Sequence, residues 1–414
     1  MAGEAFYPVW TVLVSGAVIL TGGYLLLRWL ATCGAPIPGP IGLDRRDRSG
    51  RGVALSAREE LRVFALSLLF RLVVFALASL FLLLLSQGGV LSSWRQWDAV
   101  HYEKLTELGY GGYVENGQHL FLVFFPLYVW LVRLVRLVVG NTLAAGLLVS
   151  WLCYAGGCVF FCRLACLEYG RRTARRAVIF LSLFPYAFFF GGMMTEGLFL
   201  LTTAAGLWHI RRHQWWAAGL WGILAALTRM HGLLLVGAAL AEFLSHREKG
   251  WLRRLPLVFL PVLGTLAYLW LNRLVTGDPF AFVQMQRHWN QGFCWVSDTL
   301  WYVLHNAWST PDSAIRWQIW IPTLLLFPLF FTLLLRARRQ RSMLTLYAFA
   351  CLILDYSLSW LLSAGRYLSC ALPFFLFAAD WAEERPAVSA FLTAAMAVPF
   401  SLQLILYLTG GQIM

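Results

Sequence analysis

The sequence predicts an all-α fold, a polytopic bundle of membrane-spanning helices, and three observations carry that expectation. Hydrophobic residues fill 60% of the 414 positions and charged residues 13%, with a mean hydropathy of +0.67. A soluble fold of this length has no way to hide so much apolar surface. Long apolar runs also recur along the whole chain and are separated by charged or turn-forming segments. Finally, the 33 basic residues are nearly all arginine, because lysine occurs only at Lys104 and Lys249, and they gather in short stretches between the apolar runs. The positive-inside rule gives cytoplasmic loops that pattern, so topology rather than nucleic acid accounts for the formal net charge of +13.

Twelve apolar runs are candidate spans: residues 10–30, 61–86, 142–167, 177–193, 195–210, 215–229, 232–245, 255–275, 316–335, 343–362, 367–381 and 388–408. Several are shorter than the roughly 20 residues a straight helix needs to cross about 30 Å of hydrocarbon, which predicts tilted or broken helices. With the N-terminus outside, the arginine clusters at 45–58, 171–176, 211–212, 247–254 and 336–341 all fall on one side, the cytoplasmic one. The other side receives two long loops, about 87–119 and 276–315, and short turns near Glu196, Arg229 and Arg366. Residues 120–139 are long enough to cross, yet a crossing would invert every later loop. This run is therefore read as an interfacial helix of the first outer loop, with Arg133 and Arg136 reaching for headgroups.

The N-terminal residues lack the basic start of a cleavable signal peptide and read as a retained helix. Pro36 to Pro40 and the basic stretch after them read as a linker. The expected division is an N-terminal helix with a basic cytoplasmic linker (1–60) and a catalytic membrane domain (61–414). Eight cysteines without CxxC spacing argue against a zinc or disulfide framework, and Cys158, Cys162 and Cys166 read as packing residues.

The polar groups of the outer segments are the candidates for chemistry. In WRQWDAVHY, Asp98 and His101 stand three residues apart, on one helical face, with Trp97 and Tyr102 beside them. A carboxylate and an imidazole at a membrane surface suit acid/base work, with Asp98 the better general base; spacing alone equally allows an acid capping a short helix. Glu196 sits at a membrane edge, where an ionised side chain is costly without a partner. Arg229 and Arg366 lie at helix ends of comparable depth, and their permanent charge and planar donor fork suit a phosphate; snorkelling to headgroups is the plainer reading of each alone. His231 and Tyr367 adjoin these arginines. The second outer loop sets Arg287 and His288 among amides and tryptophans, a mixture that suits a sugar or a simple aromatic belt.

Several strings in this sequence, WDAVHYEKLTELGY, FFPLY at 124–128, FPYAFFFGGMMTEGLF, ALTRMHGLL and GRYL, resemble in order and spacing the GPI mannosyltransferase 2 (PIG-V) family and its bacterial relatives. The resemblance covers most of the chain from about residue 61. It implies a GT-C glycosyltransferase that moves a sugar, typically mannose, with inversion, from a polyprenyl phosphate to an acceptor hydroxyl on the outer or lumenal face. Asp98 then lands on the catalytic acid expected in the first outer loop, with His101 orienting the acceptor or the acid. Arg229 and Arg366 would hold the donor phosphate, and Trp97, Tyr102, Glu196, His231, Arg287, His288 and Tyr367 would line the substrates. No acidic pair such as DxD stands in the outer loops, so no metal is assigned, and the one co-substrate is the lipid-linked sugar. RMHG at 229–232 replaces the family's frequent RSNG or RPTG and leaves the acceptor open among a glycolipid, a glycan and a protein. Scarce lysine fits a GC-rich genome and a bacterial plasma membrane, with the endoplasmic reticulum membrane as the eukaryotic alternative. A lipid or sugar transporter or flippase is the competing class, and it would place its polar groups at mid-membrane in pseudo-symmetric halves. A noncatalytic subunit would tolerate loss of Asp98.

Overall fold

The computed structural model describes residues 2–39, 50–85, 89–247 and 250–413. It is helical almost throughout, with two isolated β-bridges among the described residues. Helix α1 (Ala2–Thr32) is followed by α2 (Ala57–Leu84), whose start is fixed by a capping box: the Ser56 hydroxyl accepts from the Glu59 amide while the Glu59 carboxylate accepts from the Ser56 amide. Of the expected linker, which starts at Pro36, residues 40–49, and with them Arg45, Arg46 and Arg48 of the first arginine cluster, lie outside the described residues, as do residues 86–88 of the first loop.

Next come α3 (Asp98–Gly112) and α4 (Pro126–Val139), then α5 (Thr142–Tyr169), which Asn141 caps by accepting from the Ala144 amide. Helix α4 folds back along the first turns of α5, where the Tyr128 hydroxyl donates to the Gly146 carbonyl and lies 2.8 Å from Ser150 Oγ. The start of α5 is tied to α3 through the Thr142 hydroxyl, which donates to Glu107 at 2.7 Å. The run 120–139 thus packs between α3 and the first turns of α5, and Arg133 turns back to the Glu107 carbonyl at 3.5 Å.

Helices α6 (Arg171–Leu183), α7 (Glu196–Arg211), α8 (Trp215–Thr228) and α9 (Leu234–Ser245) then pass back and forth between the two ends. The apolar run at 177–193 is not one span. Helix α6 stops at Leu183, because Phe184 precedes Pro185 and takes an extended conformation, and the chain continues as a 3-10 turn over Ala187–Gly191. The run at 255–275 is likewise broken, a single turn (Leu255–Val258) preceding α10 (Pro261–Thr276). The second outer loop folds into α11 (Ala281–His288) and α12 (Val296–Ser309). Then follow α13 (Ser313–Arg336), with a π-helical turn at Arg316–Trp320, and α14 (Ser342–Asp355), shorter than its expected 343–362. The run at 367–381 divides into α15 (Ala364–Ser369) and α16 (Pro373–Trp381), and α17 (Pro386–Leu408) ends the bundle.

Among the described residues, five helices are long and apolar enough to cross a membrane: α1, α2, α5, α13 and α17. The shorter apolar helices α8, α9 and α14 pack beside them. Their lipid-type surfaces are evident in exposed Leu77, Leu83 and Leu325. The two ends differ in chemistry. At one, Arg51 meets Glu383, Arg171 meets Glu59, and Arg28 donates to the Arg339 and Gln340 carbonyls. At the other, Tyr7 donates to Asp298 and Tyr407 to the Trp94 carbonyl. The described arginines at 51, 171–176, 211 and 336–341 fall at the first end, the one the positive-inside rule expects to be cytoplasmic.

Candidate active site

Four elements deliver charged side chains to a single point beneath the outer end. Asp98 opens α3 and Glu196 opens α7, whereas Arg229 follows the last turn of α8 and Arg366 lies on α15. Arg366 Nη1 donates to Asp98 Oδ2 at 2.5 Å, Arg366 Nε donates to Glu196 Oε1, and Arg229 Nη2 donates to that same oxygen. The result is one alternating chain of charge, Asp98, Arg366, Glu196, Arg229. Glu196 is completely buried, and two flanking guanidiniums meet the cost of placing a carboxylate there.

The local backbone explains how these side chains meet. Trp97, immediately before Asp98, holds φ 54° and ψ −128°, a conformation that costs a non-glycine residue on the order of 1–3 kcal/mol. It turns the chain abruptly into α3. Among the described residues, the Asp98 side chain accepts its hydrogen bond from Arg366. Arg229 is extended (φ −157°, ψ 152°), and a 3-10 turn (Met230–Leu233) brings the chain straight back against α8. That return requires Gly232: a Cβ there would stand 2.3 Å from the Ala225 carbonyl carbon. Gly365 is under a similar constraint, since its Cβ would lie 2.1 Å from the Tyr186 ring. The tight seat lets α15 press inward and carry Arg366 to Glu196.

Valences remain open along this chain. Glu196 Oε2 has no hydrogen-bond partner among the described residues. Arg229 Nε donates to the Thr195 hydroxyl at 2.9 Å and Nη2 to Glu196, leaving Nη1 without a described partner. Asp98 Oδ1 is likewise unbonded to described residues, and the side chain is 30% exposed. A small cavity adjoins Arg229, lined also by Phe199, His231, Asp355, Tyr367 and Cys370. His231 Nε2 lies 2.8 Å from Asp355 Oδ1, and its ring stacks near Tyr367. Asp355 escaped the sequence reading because it sits inside the run expected at 343–362; an acid within an apolar run is itself the signal that exposes it.

The remaining candidates divide. Tyr102 is buried under the array, edge-on to Phe124 and Tyr128, and burial keeps its phenol protonated. Trp97 leaves its indole N–H without a described partner. His101 stacks on Phe121 with centroids 4.2 Å apart, and its Nδ1 lies 3.0 Å from the Tyr113 hydroxyl, so its direct partner is Tyr113 rather than Asp98. Burial lowers its proton affinity below the usual histidine value. Arg287 and His288, at the end of α11, are exposed and make no described bond to the charged chain; their neighbour Trp289 is the residue that approaches His101. Among the described residues, the one histidine–carboxylate group with metal-ligand proximity, His213, Glu242 and His246, lies at the opposite end, where Glu242 already accepts from Arg341.

The family profile for mannosyltransferase (PIG-V) matches residues 65–301, more than half of the sequence and inclusive of Asp98, Glu196 and Arg229. The chain belongs to the PIG-V family. No curated protein sequence matches it. The crystal structure of ArnT from Cupriavidus metallidurans bound to undecaprenyl phosphate is similar at 19% identity and a TM-score of 0.50, over 81% of this chain and 64% of that one. The apo structure of the same protein gives 18% identity and a TM-score of 0.48, with the same coverage. This PIG-V-family chain therefore spans about 64% of ArnT's length. It shares that structure's overall fold, a bundle of helices that here includes α3 and α4 between the apolar helices α2 and α5.

Proposed function

We propose that this PIG-V-family chain transfers a sugar, mannose in the first instance, from a polyprenyl phosphate to an acceptor hydroxyl at the outer face of a plasma membrane, with inversion. The observation that carries the reading is the chain from Asp98 to Arg229, which sets a partly exposed carboxylate oxygen and an unspent guanidinium nitrogen at its two termini. Transfer from a lipid phosphate needs a base, a positioned acceptor and neutralisation of the departing phosphate.

In this reading Asp98 Oδ1 takes the acceptor hydroxyl proton as that oxygen attacks the anomeric carbon. The bond from that carbon to the phosphate oxygen breaks on the opposite face, and the electron pair leaves with the polyprenyl phosphate. Arg229 Nη1 receives the phosphate charge, while Arg366 holds Asp98 in place and Glu196 keeps both guanidiniums apart and oriented. The undecaprenyl phosphate of the ArnT structure supports a polyprenyl carrier here. Trp97, Tyr102, His231 and Tyr367 border the substrates, with Arg287 and His288 meeting the acceptor as it approaches from the aqueous side. A lipid glycan, a polymer or a protein hydroxyl fits equally as acceptor. The carboxylate and arginines supply the base and the countercharge, so the proposal routes no step through a metal.

The test is product analysis. Purified chain is given polyprenyl-phosphate mannose and a lipid extract, and mass spectrometry with anomeric NMR follows the transferred sugar. Inverted product and released polyprenyl phosphate are expected; a retained anomeric configuration, or transport of intact donor without transfer, overturns the reading.

A further inference from the structure

A second feature lies at the other end of the molecule and has no part in the transfer reaction. Helix α6 begins Arg171, Arg172, Thr173, Ala174, Arg175, Arg176, so four guanidiniums occupy its first turn and a half. This arrangement is unfavourable twice over: like charges four residues apart repel, and cations stand at the positive end of the helix dipole. The four arginines line a cleft of about 460 Å³ between α6 and α17, together with Ile179, Phe180, Ser389 and Thr393. That is the size of a small-molecule site.

The charge there is only partly answered from within. Arg171 pairs with Glu59 at 2.9 Å, and Arg176 donates to the Ser389 hydroxyl at 2.9 Å and to the Ala379 carbonyl. Arg172 and Arg175 are exposed and have no partner among the described residues. The cleft is amphipathic: its charged rim sits at the arginine-rich end, and its lining continues onto an apolar flank of Phe180 and Ile179, of which Ile179 is 47% exposed. A soluble anion has no use for that flank, whereas the phosphodiester of a lipid whose chains run along the helices uses both halves.

We infer that this cleft is a binding site for the phosphodiester headgroup of an anionic phospholipid in the cytoplasmic leaflet. Arg172 and Arg175 contact the phosphate, Arg171 and Arg176 frame it, and the acyl chains run from the cleft along Ile179. The bound anion relieves the repulsion at the start of α6 and fastens α6 to α17.

Native mass spectrometry of the purified full chain, mixed with phosphatidylglycerol or phosphatidylcholine in detergent, tests this. The intact chain is expected to retain phosphatidylglycerol about tenfold more than phosphatidylcholine, and the Arg172→Gln/Arg175→Gln variant to lose that preference. Thermal melting of both proteins, with and without each lipid, is expected to show a phosphatidylglycerol shift in the wild type alone. If the double variant does not fold, Arg172→Gln alone, at an exposed position, carries the same comparison. Equal retention of the two lipids, a variant that keeps the preference, or inorganic phosphate at matched concentration displacing the lipid would each overturn the assignment. Sugar transfer is not the readout, so failure here leaves the proposed reaction untouched.

Discussion

Two buried networks of ionised side chains stand at opposite ends of the bundle, and they differ in one respect: whether their valences are filled. At the arginine-rich end, Arg211 and Arg341 share Glu168, and Arg341 also reaches Glu242 at 3.1 Å. Both oxygens of each carboxylate accept bonds, and His213 adds a contact to Glu242 at 3.2 Å. The ends of α5, α7 and α9 and the start of α14 are thereby clasped. At the outer end the same residue types stop short of satisfaction, with Glu196 Oε2 unbonded, Asp98 Oδ1 uncommitted and Arg229 Nη1 without a described partner. A closed buried network fixes geometry; an open one holds chemistry in reserve for a ligand, at a cost in stability. The contrast separates a structural clasp from a site without reference to any relative.

The comparison breaks most decisively at Asp98. Asp98→Asn is expected to lower turnover by about 10²–10⁴-fold while the melting temperature stays near that of wild type, measured by donor consumption and differential scanning fluorimetry. Wild-type turnover in this variant would remove the base from the scheme. At the clasp the expectation inverts. Arg341→Met leaves Glu168 and Glu242 short of a buried partner and should destabilise by roughly 3–5 kcal/mol, whereas the folded fraction keeps its specific activity. Loss of activity without loss of stability there would erase the distinction between the two ends.

Smaller effects sharpen the picture. Arg229→Lys keeps a cation near Glu196 but removes the planar fork, and the expected result is a rise in donor KM of about tenfold with a lesser change in kcat. An unchanged KM would detach Arg229 from the phosphate. The slightest effect concerns pH. Burial depresses the proton affinity of His101 in the folded protein, so its neutral form is favoured there and the unfolded chain binds the proton more readily. Stability is therefore lost as pH falls through the ordinary histidine range near 6.5, and His101→Gln should flatten the decline between pH 7.5 and 5.5, as read from thermal melts. A variant that is equally acid-sensitive would show that the titration belongs elsewhere.

Much of the outer end was legible in the sequence because each of its charges is locally anomalous. Glu196 and the two arginines stand at the edges of apolar runs, where an unpartnered ion is costly, and each is conspicuous alone. Their convergence with Asp98 follows once all four are assigned to one side of the bilayer. The clasp was not legible. Its arginines serve topology so plainly that their second use is hidden, and Arg341 meets Glu168 across 173 residues of sequence. Asp355 was missed for the opposite reason, having been absorbed into a hydrophobic run that the helix in fact leaves at that residue. The helix breaks at Phe184–Pro185 and before Pro261 and Pro373 were signalled by proline and masked by the hydropathy around them. Arg287 and His288 show the limit of composition: polar residues among tryptophans mark an interface, and only coordinates tell which of them turn inward.

Gly232 and Gly365 set a boundary on how this protein can be altered. Each presents a hydrogen where any other residue would bring a carbon into occupied space, which fixes the seats of the two guanidiniums beside them. Under the proposed function, variation aimed at sugar or acceptor choice is better placed on the rim of tryptophans and amides around α11. A mutational library drawn from that rim, with positions 232 and 365 left untouched, is the practical route to a changed specificity.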